Sequence, residues 1–305
     1  MKINQKEITQ VGHGSPMIIN WELVSHCQFK CSYCYYDPFE SNTDYESLQK
    51  IIQKKISNID QPFVINLIGG EPTLHPNFSK IVSFLQDLEK CTEIRIVTNL
   101  AKPIHFWDSI SSTKIVLTAS YHPEYDNGKF FEKINQLYEK FDSDVPFLVP
   151  NSLIHLPRMK KTLENLLNID SPRSPTINII RPHYKSGYSV SFEQYPEEIE
   201  LFIKEATTII SKNENQEKIK VYSKNKEIEM AKSTFFDLNM HYLKGWKCNI
   251  NAFIIHYNGY VSSACRNDKK HIITAKFKST PLICPYQACE CDDFWNFEKY
   301  RNANE

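Results

Sequence analysis

Cys27-Gln28-Phe29-Lys30-Cys31-Ser32-Tyr33-Cys34 sets three thiols at C-x3-C-x2-C spacing, just beyond the apolar run Met17-Ile18-Ile19-Asn20-Trp21-Glu22-Leu23. Three sulfurs in one short loop can converge on one soft metal centre, and thiolates suit zinc or iron-sulfur chemistry. A closed structural zinc site takes four ligands, whereas this group supplies three, with no histidine at finger spacing. His26 adjoins Cys27 and cannot easily fold back beside it. Three thiolates on a four-iron cluster leave one iron free for another ligand, which a catalytic centre needs and a structural one does not. The loop is therefore read as a metal site with an open position.

The chain around it, 305 residues, is long enough for one large domain, or one large and one small, with a sizeable core. Lys+Arg and Asp+Glu both number 36, so the charge balance points to neither a nucleic-acid nor a membrane partner. Residues 1–16 contain no apolar core of a signal peptide, and no run approaches the ~20 apolar residues of a membrane span. The expected compartment is a reducing cytoplasm, where clustered cysteines are metal ligands more often than disulfides. The distribution of the nine cysteines agrees: three lie at 27–34, five at 248–291, and Cys91 stands alone as a small buried hydrophobe.

Periodicity organises the first two thirds of the chain. Strands are expected at 17–23, 63–68, 94–97, 115–119, 146–149 and 176–180. Helices are expected at 48–59, 76–88, 103–110, 130–141, 158–167 and 197–210. Strands alternating with helices imply an α/β fold whose parallel sheet carries chemistry in the loops at the strand C-terminal ends. The cysteines, Gly69-Gly70-Glu71, Thr98-Asn99, Ser120, Asn151 and Arg181 all fall at such ends. Residues 211–220 read as a polar connection. Farther on, Asn258-Gly259 between two apolar runs is a hairpin signal, with Cys248 and Cys265 at its outer ends. Cys284, Cys289 and Cys291 then pack three more thiols into eight residues, which looks like a second metal site.

Paired glycines let a backbone approach a ligand closely, and a carboxylate beside them can receive an ammonium group. The C-x3-C-x2-C loop with Tyr33 before its last cysteine, followed after the next strand by Gly69-Gly70-Glu71, resembles the signature of radical S-adenosylmethionine (SAM) enzymes over about residues 17–181. The resemblance implies that Cys27, Cys31 and Cys34 ligate a SAM-binding [4Fe-4S] cluster and that Tyr33 lies near the adenine. It further implies that Gly69, Gly70 and Glu71 contact the amino group of SAM. Thr98, Asn99 and Ser120 stand where relatives place ribose or carboxylate contacts, with strand capping as the alternative. Ile179 and Ile180 could flank the adenine. Arg181 could bind a carboxylate, or be an ordinary surface arginine.

The second thiol group resembles the auxiliary-cluster domains of the same superfamily, the SPASM and shorter twitch types. Five thiols cannot fully ligate two four-iron clusters, so one auxiliary [4Fe-4S] cluster is expected, held by Cys248, Cys265, Cys289 and Cys291; zinc is the alternative. Cys284 is then spare, either as a hydrogen-atom donor to a substrate radical or as an inert packed thiol. The expected architecture is a partial (β/α)6 TIM-like barrel over residues 1–215 with a small auxiliary-cluster domain over 216–305. The expected activity is reductive cleavage of SAM and hydrogen abstraction from a peptide or sugar-like substrate, with a flavodoxin or ferredoxin as reductant. A non-enzymatic electron carrier or a zinc-stabilised interaction module is the other reading. The motifs do not set the substrate, the net reaction or the oligomeric state.

Overall fold

The computed structural model describes residues 7–14, 16–34, 45–181, 195–210, 218–223, 226–231, 234–235, 238–263, 269–289 and 297–301. Cys265 and Cys291 lie outside these residues. In chain order come β1 (Ile8–Val11), β2 (Met17–Val24), α1 (Tyr45–Ser57), β3 (Phe63–Gly69), α2 (Phe78–Asp87), β4 (Cys91–Thr98) and α3 (Ile104–Asp108). There follow β5 (Ile115–Ala119), α4 (Phe130–Leu137), β6 (Asp142–Leu148), α5 (Leu156–Leu167), β7 (Thr176–Ile180) and α6 (Glu197–Ile210). The remainder is strand: β8 (Lys218–Ser223), β9 (Lys226–Ala231), β10 (Lys247–Ile250), β11 (Ala252–Ile255), β12 (Tyr260–Ser263), β13 (Lys270–His271), β14 (Thr280–Ile283) and β15 (Lys299–Tyr300).

The expected strands and helices of the first two thirds all form. Strands β2 to β7 lie side by side in sequence order, every neighbouring pair parallel. One face of this sheet carries Met17, Ile19, Trp21, Leu23, Phe63, Ile65, Leu67, Ile94, Ile96, Leu117, Val145 and Phe147, all buried in one apolar core. The helices close that core because their apolar residues recur on one side, as with Phe78, Ile81, Val82 and Leu85 of α2. Truncating any of these side chains to alanine costs about 2–5 kcal/mol.

The alternate residues give the sheet's other face a polar character. Asn66 Nδ2 donates to Asn20 Oδ1 at 2.7 Å, and Arg95 binds both Glu93 and Asp144. A parallel sheet covered by apolar layers on both faces reads as unbroken hydrophobic runs, and this one does not.

Two strands begin earlier than the apolar pattern indicates, β4 at Cys91 and β6 at Asp142. Pro146 sits inside β6, where it has no N–H to offer. The β5–β6 ladder stops at Thr118↔Asp144 and resumes beyond the proline only as the single bridge Tyr121↔Phe147.

Among the described residues the sheet is open, with β7 at one edge and β13 at the other, in the order β13-β12-β11-β2-β3-β4-β5-β6-β7. The expected hairpin forms from β11 and β12, and it also docks: β11 runs parallel to β2, from Ala252↔Ile18 to Ile255↔Trp21. A second sheet has the order β14-β10-β15-β1-β8-β9. Each sheet thus takes strands from both sides of residue 215. Cys248 belongs to β10 of the second sheet, opposite Leu282 and Lys299, and not to the hairpin.

Candidate functional site

Gly69 and Gly70 fix where the cysteine loop runs. Gly69 has φ +134°, and a Cβ there would stand 2.3 Å from the Val24 carbonyl oxygen; one on Gly70 would stand 2.1 Å from that of His26. Without those Cβ atoms, the Gly70 and Glu71 N–H groups donate to the Val24 and His26 carbonyls at 3.0 Å each. The close approach expected of this pair is therefore made, in the first place, to the chain's own backbone leading into Cys27.

The Glu71 carboxylate is almost fully buried at 1% exposure. One oxygen accepts from the Thr73 N–H (3.2 Å), the Thr73 hydroxyl (2.6 Å) and the Thr98 hydroxyl (2.9 Å), and the other from the Asn99 N–H (2.8 Å). Burial raises its pKa above the ordinary carboxylate value, and these donors offset only part of that rise. Thr98 and Asn99, at the C-terminal end of β4, thus hold Glu71.

Asn99 also reaches the first cysteine. Its Nδ2 donates to Cys27 Sγ at 3.5 Å, and the Phe29 N–H donates to the same sulfur at 3.3 Å. The segment after β5 clamps the rest of the loop. Lys30 N–H donates to Tyr125 Oη at 2.8 Å, Ser32 binds Glu124 through both N–H and hydroxyl, and Phe29 stacks on Tyr125 at 4.5 Å. His122 Nδ1 stands 3.4 Å from Cys31 Sγ and 3.1 Å from the Tyr33 hydroxyl. Burial lowers the pKa of His122 to about 4, so its ring is neutral near pH 7 and Nδ1 can accept the Tyr33 proton.

Burial, reinforced by nearby carboxylates, raises the Cys27 thiol and takes Cys31 to about 12. Metal binding must expel these protons.

Four strand ends therefore meet. β2 supplies the cysteines, β3 Gly-Gly-Glu, β4 Thr98-Asn99, and the β5 exit His122, Glu124 and Tyr125. Ser120 joins through its N–H, which donates to the Thr98 carbonyl at 2.8 Å. Ile179 packs partly buried against the core and Ile180 is exposed. Arg181 is already engaged: Glu200 of α6 accepts from its guanidinium at 2.8 and 2.5 Å, and Tyr195 lies under it at 5.3 Å. The carboxylate at Arg181 is thus the chain's own, in an open cleft with Glu197, Leu201 and Lys204.

Glu124 and Tyr125 escaped the sequence reading, although their place just past a strand end was the available signal. A further polar group also escaped it. His256 Nδ1 is 3.1 Å from Glu22 Oε2, and its Nε2 is 3.0 Å from the Ser262 hydroxyl.

The second thiol group surrounds one apolar cavity. Cys248, Cys284 and Cys289 line it together with Leu243, Trp246, Ile250, Leu282, Pro285 and the buried Lys299. Cys284 is fixed there by its N–H, which donates to the Trp246 carbonyl at 2.8 Å, and by its own carbonyl, which accepts from Gly245 at 2.9 Å. Cys284 thus lines the same cavity as Cys248 and Cys289, with its Sγ also 3.7 Å from the Tyr286 carbonyl oxygen. The partnership of Cys248 with Cys265 lies outside the described residues, as does Cys291.

Among the described residues no three His, Cys, Asp or Glu side chains converge on a single metal ion. No disulfide joins any two of the seven described cysteines.

Residues 12–108 match the family model described as "4Fe-4S single cluster domain". GTP 3′,8-cyclase from Haemophilus influenzae (strain PittEE) is 29% identical over 130 residues, 39% of this chain and 36% of that protein. Mycofactocin maturase MftC from Mycobacterium ulcerans (strain Agy99) is 34% identical over 84 residues, 25% of this chain and 22% of that one. The chain thus spans between a fifth and two fifths of the length of these two curated relatives. Among solved structures, native anSMEcpe with bound AdoMet and Cp18Cys peptide superposes with a TM-score of 0.51 at 16% identity, covering 82% of this chain and 74% of that one. That likeness bears on the fold. Taken with the three-thiol loop and Gly-Gly-Glu at adjoining strand ends, these matches agree with the resemblance to the radical SAM superfamily.

Proposed function

We propose that this protein is a radical SAM enzyme whose Cys27, Cys31 and Cys34 hold a [4Fe-4S] cluster with one iron open to SAM. The observation that carries the reading is the meeting of the cysteine loop, Glu71, Asn99 and His122 at neighbouring strand ends. The chemistry such a cluster supplies when bound is one-electron reductive cleavage of SAM and, through the 5′-deoxyadenosyl fragment, abstraction of a hydrogen atom from a substrate. The six β/α units are the partial barrel that positions it. Glu71 presents a buried negative charge for an ammonium group, with Thr73, Thr98 and Asn99 keeping the carboxylate oriented. The aromatic layer of Phe29, Tyr33, His122 and Tyr125 excludes water from one side of the loop.

For the second site we propose one auxiliary [4Fe-4S] cluster ligated by Cys248, Cys284 and Cys289, with Cys265 or Cys291 as the fourth ligand. Cys284 moves from hydrogen donor to ligand because its thiol shares the cavity of the other two. The buried Lys299 beside them offsets the negative charge of a thiolate-bound cluster. This unit, drawn from about residue 216 onwards, lends β11 to β13 to the first sheet and borrows β1.

The substrate class is a peptide or a small sugar-like molecule. Peptide is supported by two similar folds, anSMEcpe with Cp18Cys peptide and Streptococcus suis SuiB bound to precursor peptide SuiA (TM-score 0.50, 12% identity, 85% of this chain and 63% of that one). No helix among the described residues is long and apolar enough to cross a membrane. The clustered cysteines suit a reducing cytoplasm, with a flavodoxin or ferredoxin as electron donor.

Anaerobic reconstitution with iron and sulfide, followed by reduction in the presence of SAM, tests the proposal. The expected result is a brown protein that forms 5′-deoxyadenosine. A colourless protein holding stoichiometric zinc would establish the interaction-module reading instead, and a brown protein inert towards SAM the electron carrier.

A further inference from the structure

Asn99 occupies a position that the SAM-contact expectation does not explain. Each polar group of its amide has a protein partner: Oδ1 accepts from Gln28 Nε2 at 2.8 Å and from the Ala101 N–H at 3.0 Å, and Nδ2 donates to Cys27 Sγ at 3.5 Å. Its backbone N–H is given to Glu71. The two N–H groups on Oδ1 dictate which end of the amide faces the sulfur, because a flipped amide would set donors against donors.

The turn that carries Asn99 is itself held in an uncommon state. Leu100, buried and branched, has φ +53°. That left-handed conformation is disfavoured for a leucine and persists where surrounding contacts over-determine it. The contacts are present: Leu100 N–H donates to the Thr98 hydroxyl at 3.1 Å. On the far side the Lys133 ammonium donates to three successive carbonyls, Leu100 (2.5 Å), Ala101 (3.2 Å) and Lys102 (3.1 Å). Strained backbone collects at functional sites, and here it aims one amide at one thiol.

We propose that Asn99 is a positioning residue that sets the reduction potential of the first cluster by hydrogen bonding to the Cys27 sulfur. This rests on the reading of Cys27 as a cluster ligand. A donor on a ligand sulfur draws electron density off the cluster and favours its reduced, more negative state, so the bond raises the potential. Phe29 N–H does the same from the backbone, where only proline would remove it. Gln28 fixes the orientation of the Asn99 amide through Nε2, and its Oε1 also lies 4.0 Å from Cys27 Sγ.

The test uses the full chain, reconstituted anaerobically, and an EPR-monitored redox titration of the cluster signal that SAM perturbs. Asn99→Asp keeps acceptors for Gln28 and Ala101 but removes the donor, and Asn99→Ala removes the amide. Both are expected to retain the wild-type iron content and to shift the midpoint potential negative, Asn99→Asp further because it adds charge. Gln28→Ala is expected to shift it in the same direction by less. An unshifted potential in Asn99→Asp, or loss of the first cluster's iron in both Asn99 variants, overturns the proposal. A wild-type protein that takes up no SAM-responsive cluster overturns this proposal together with the reading on which it rests. A wild-type cluster that responds to SAM, with unshifted variants, overturns this proposal alone.

Discussion

The two thiol groups of this chain are held by opposite means. The first sits among hydrogen bonds, with Asn99, Phe29 N–H and His122 on its sulfurs and two carboxylates, Glu71 and Glu124, close by. The second lines an apolar cavity walled by Leu243, Trp246, Ile250 and Leu282, with a buried lysine as its cation. A polar, directional surround suits a centre that must orient a charged ligand at an open iron. An apolar one suits a cluster ligated wholly by protein. The contrast also locates the weak points: single polar atoms and glycines in the first site, sheet pairing in the second.

The sharpest separation comes from Gly70→Ala. A Cβ 2.1 Å from a backbone oxygen cannot be relieved by a rotamer change, so the cysteine loop must move. Expected are loss of about four irons, loss of 5′-deoxyadenosine formation, and an intact second cluster. Cys248→Ala is the mirror experiment, losing the other cluster while uncoupled SAM cleavage continues. Iron analysis and product chromatography on the two variants would break the comparison if each variant lost both clusters.

Glu71→Ala leaves the Thr73 and Asn99 N–H groups and the Thr98 hydroxyl without their buried acceptor, at a cost of about 2–4 kcal/mol. Urea unfolding measures it, and SAM affinity should fall in step. Unchanged stability would mean that water replaces the carboxylate there.

A smaller effect distinguishes the first site by pH. Burial, with a contribution from His26, lowers the pKa of His75 to about 4, and its Nδ1 accepts from the Asn77 N–H at 3.1 Å. The unfolded chain takes up this proton near pH 6.5 and the folded chain only near 4. Stability from this group is therefore complete above about pH 6.5 and is lost as pH falls towards 4, by up to about 3 kcal/mol. His75→Gln should flatten that part of the stability profile, and an unaltered profile would place the titration elsewhere.

What the sequence revealed follows the range of each interaction. The β/α alternation and the strand-end motifs are local patterns of period two or 3.6, and the six strands and six helices expected from them all form. Strand β1 was missed because Ile8-Thr9-Gln10-Val11 is short and polar; its partners β8 and β15 lie more than 200 residues away. The alternation of Ile219 and Val221 with Ile228 and Met230 was a usable signal for β8 and β9 that the charged composition of the segment concealed. The hairpin at Asn258-Gly259 was legible as a hairpin, but its parallel docking on β2 depends on a partner that nothing local specifies. The place of Cys284 depends on a distant partner too. Spacing alone favours the close Cys289, Cys291 pair, whereas β10–β14 pairing brings Cys284 to Cys248. Arg181 was exposed to the converse error, since the carboxylate it binds is supplied by α6 of its own chain.

The central claim is that three thiols leave one iron open to SAM. The most direct measurement is the EPR spectrum of the reduced first cluster in a Cys248→Ala, Cys284→Ala, Cys289→Ala protein, recorded with and without SAM. The account predicts a [4Fe-4S]+ signal whose g-values change when SAM is added. A spectrum identical in both states would contradict it.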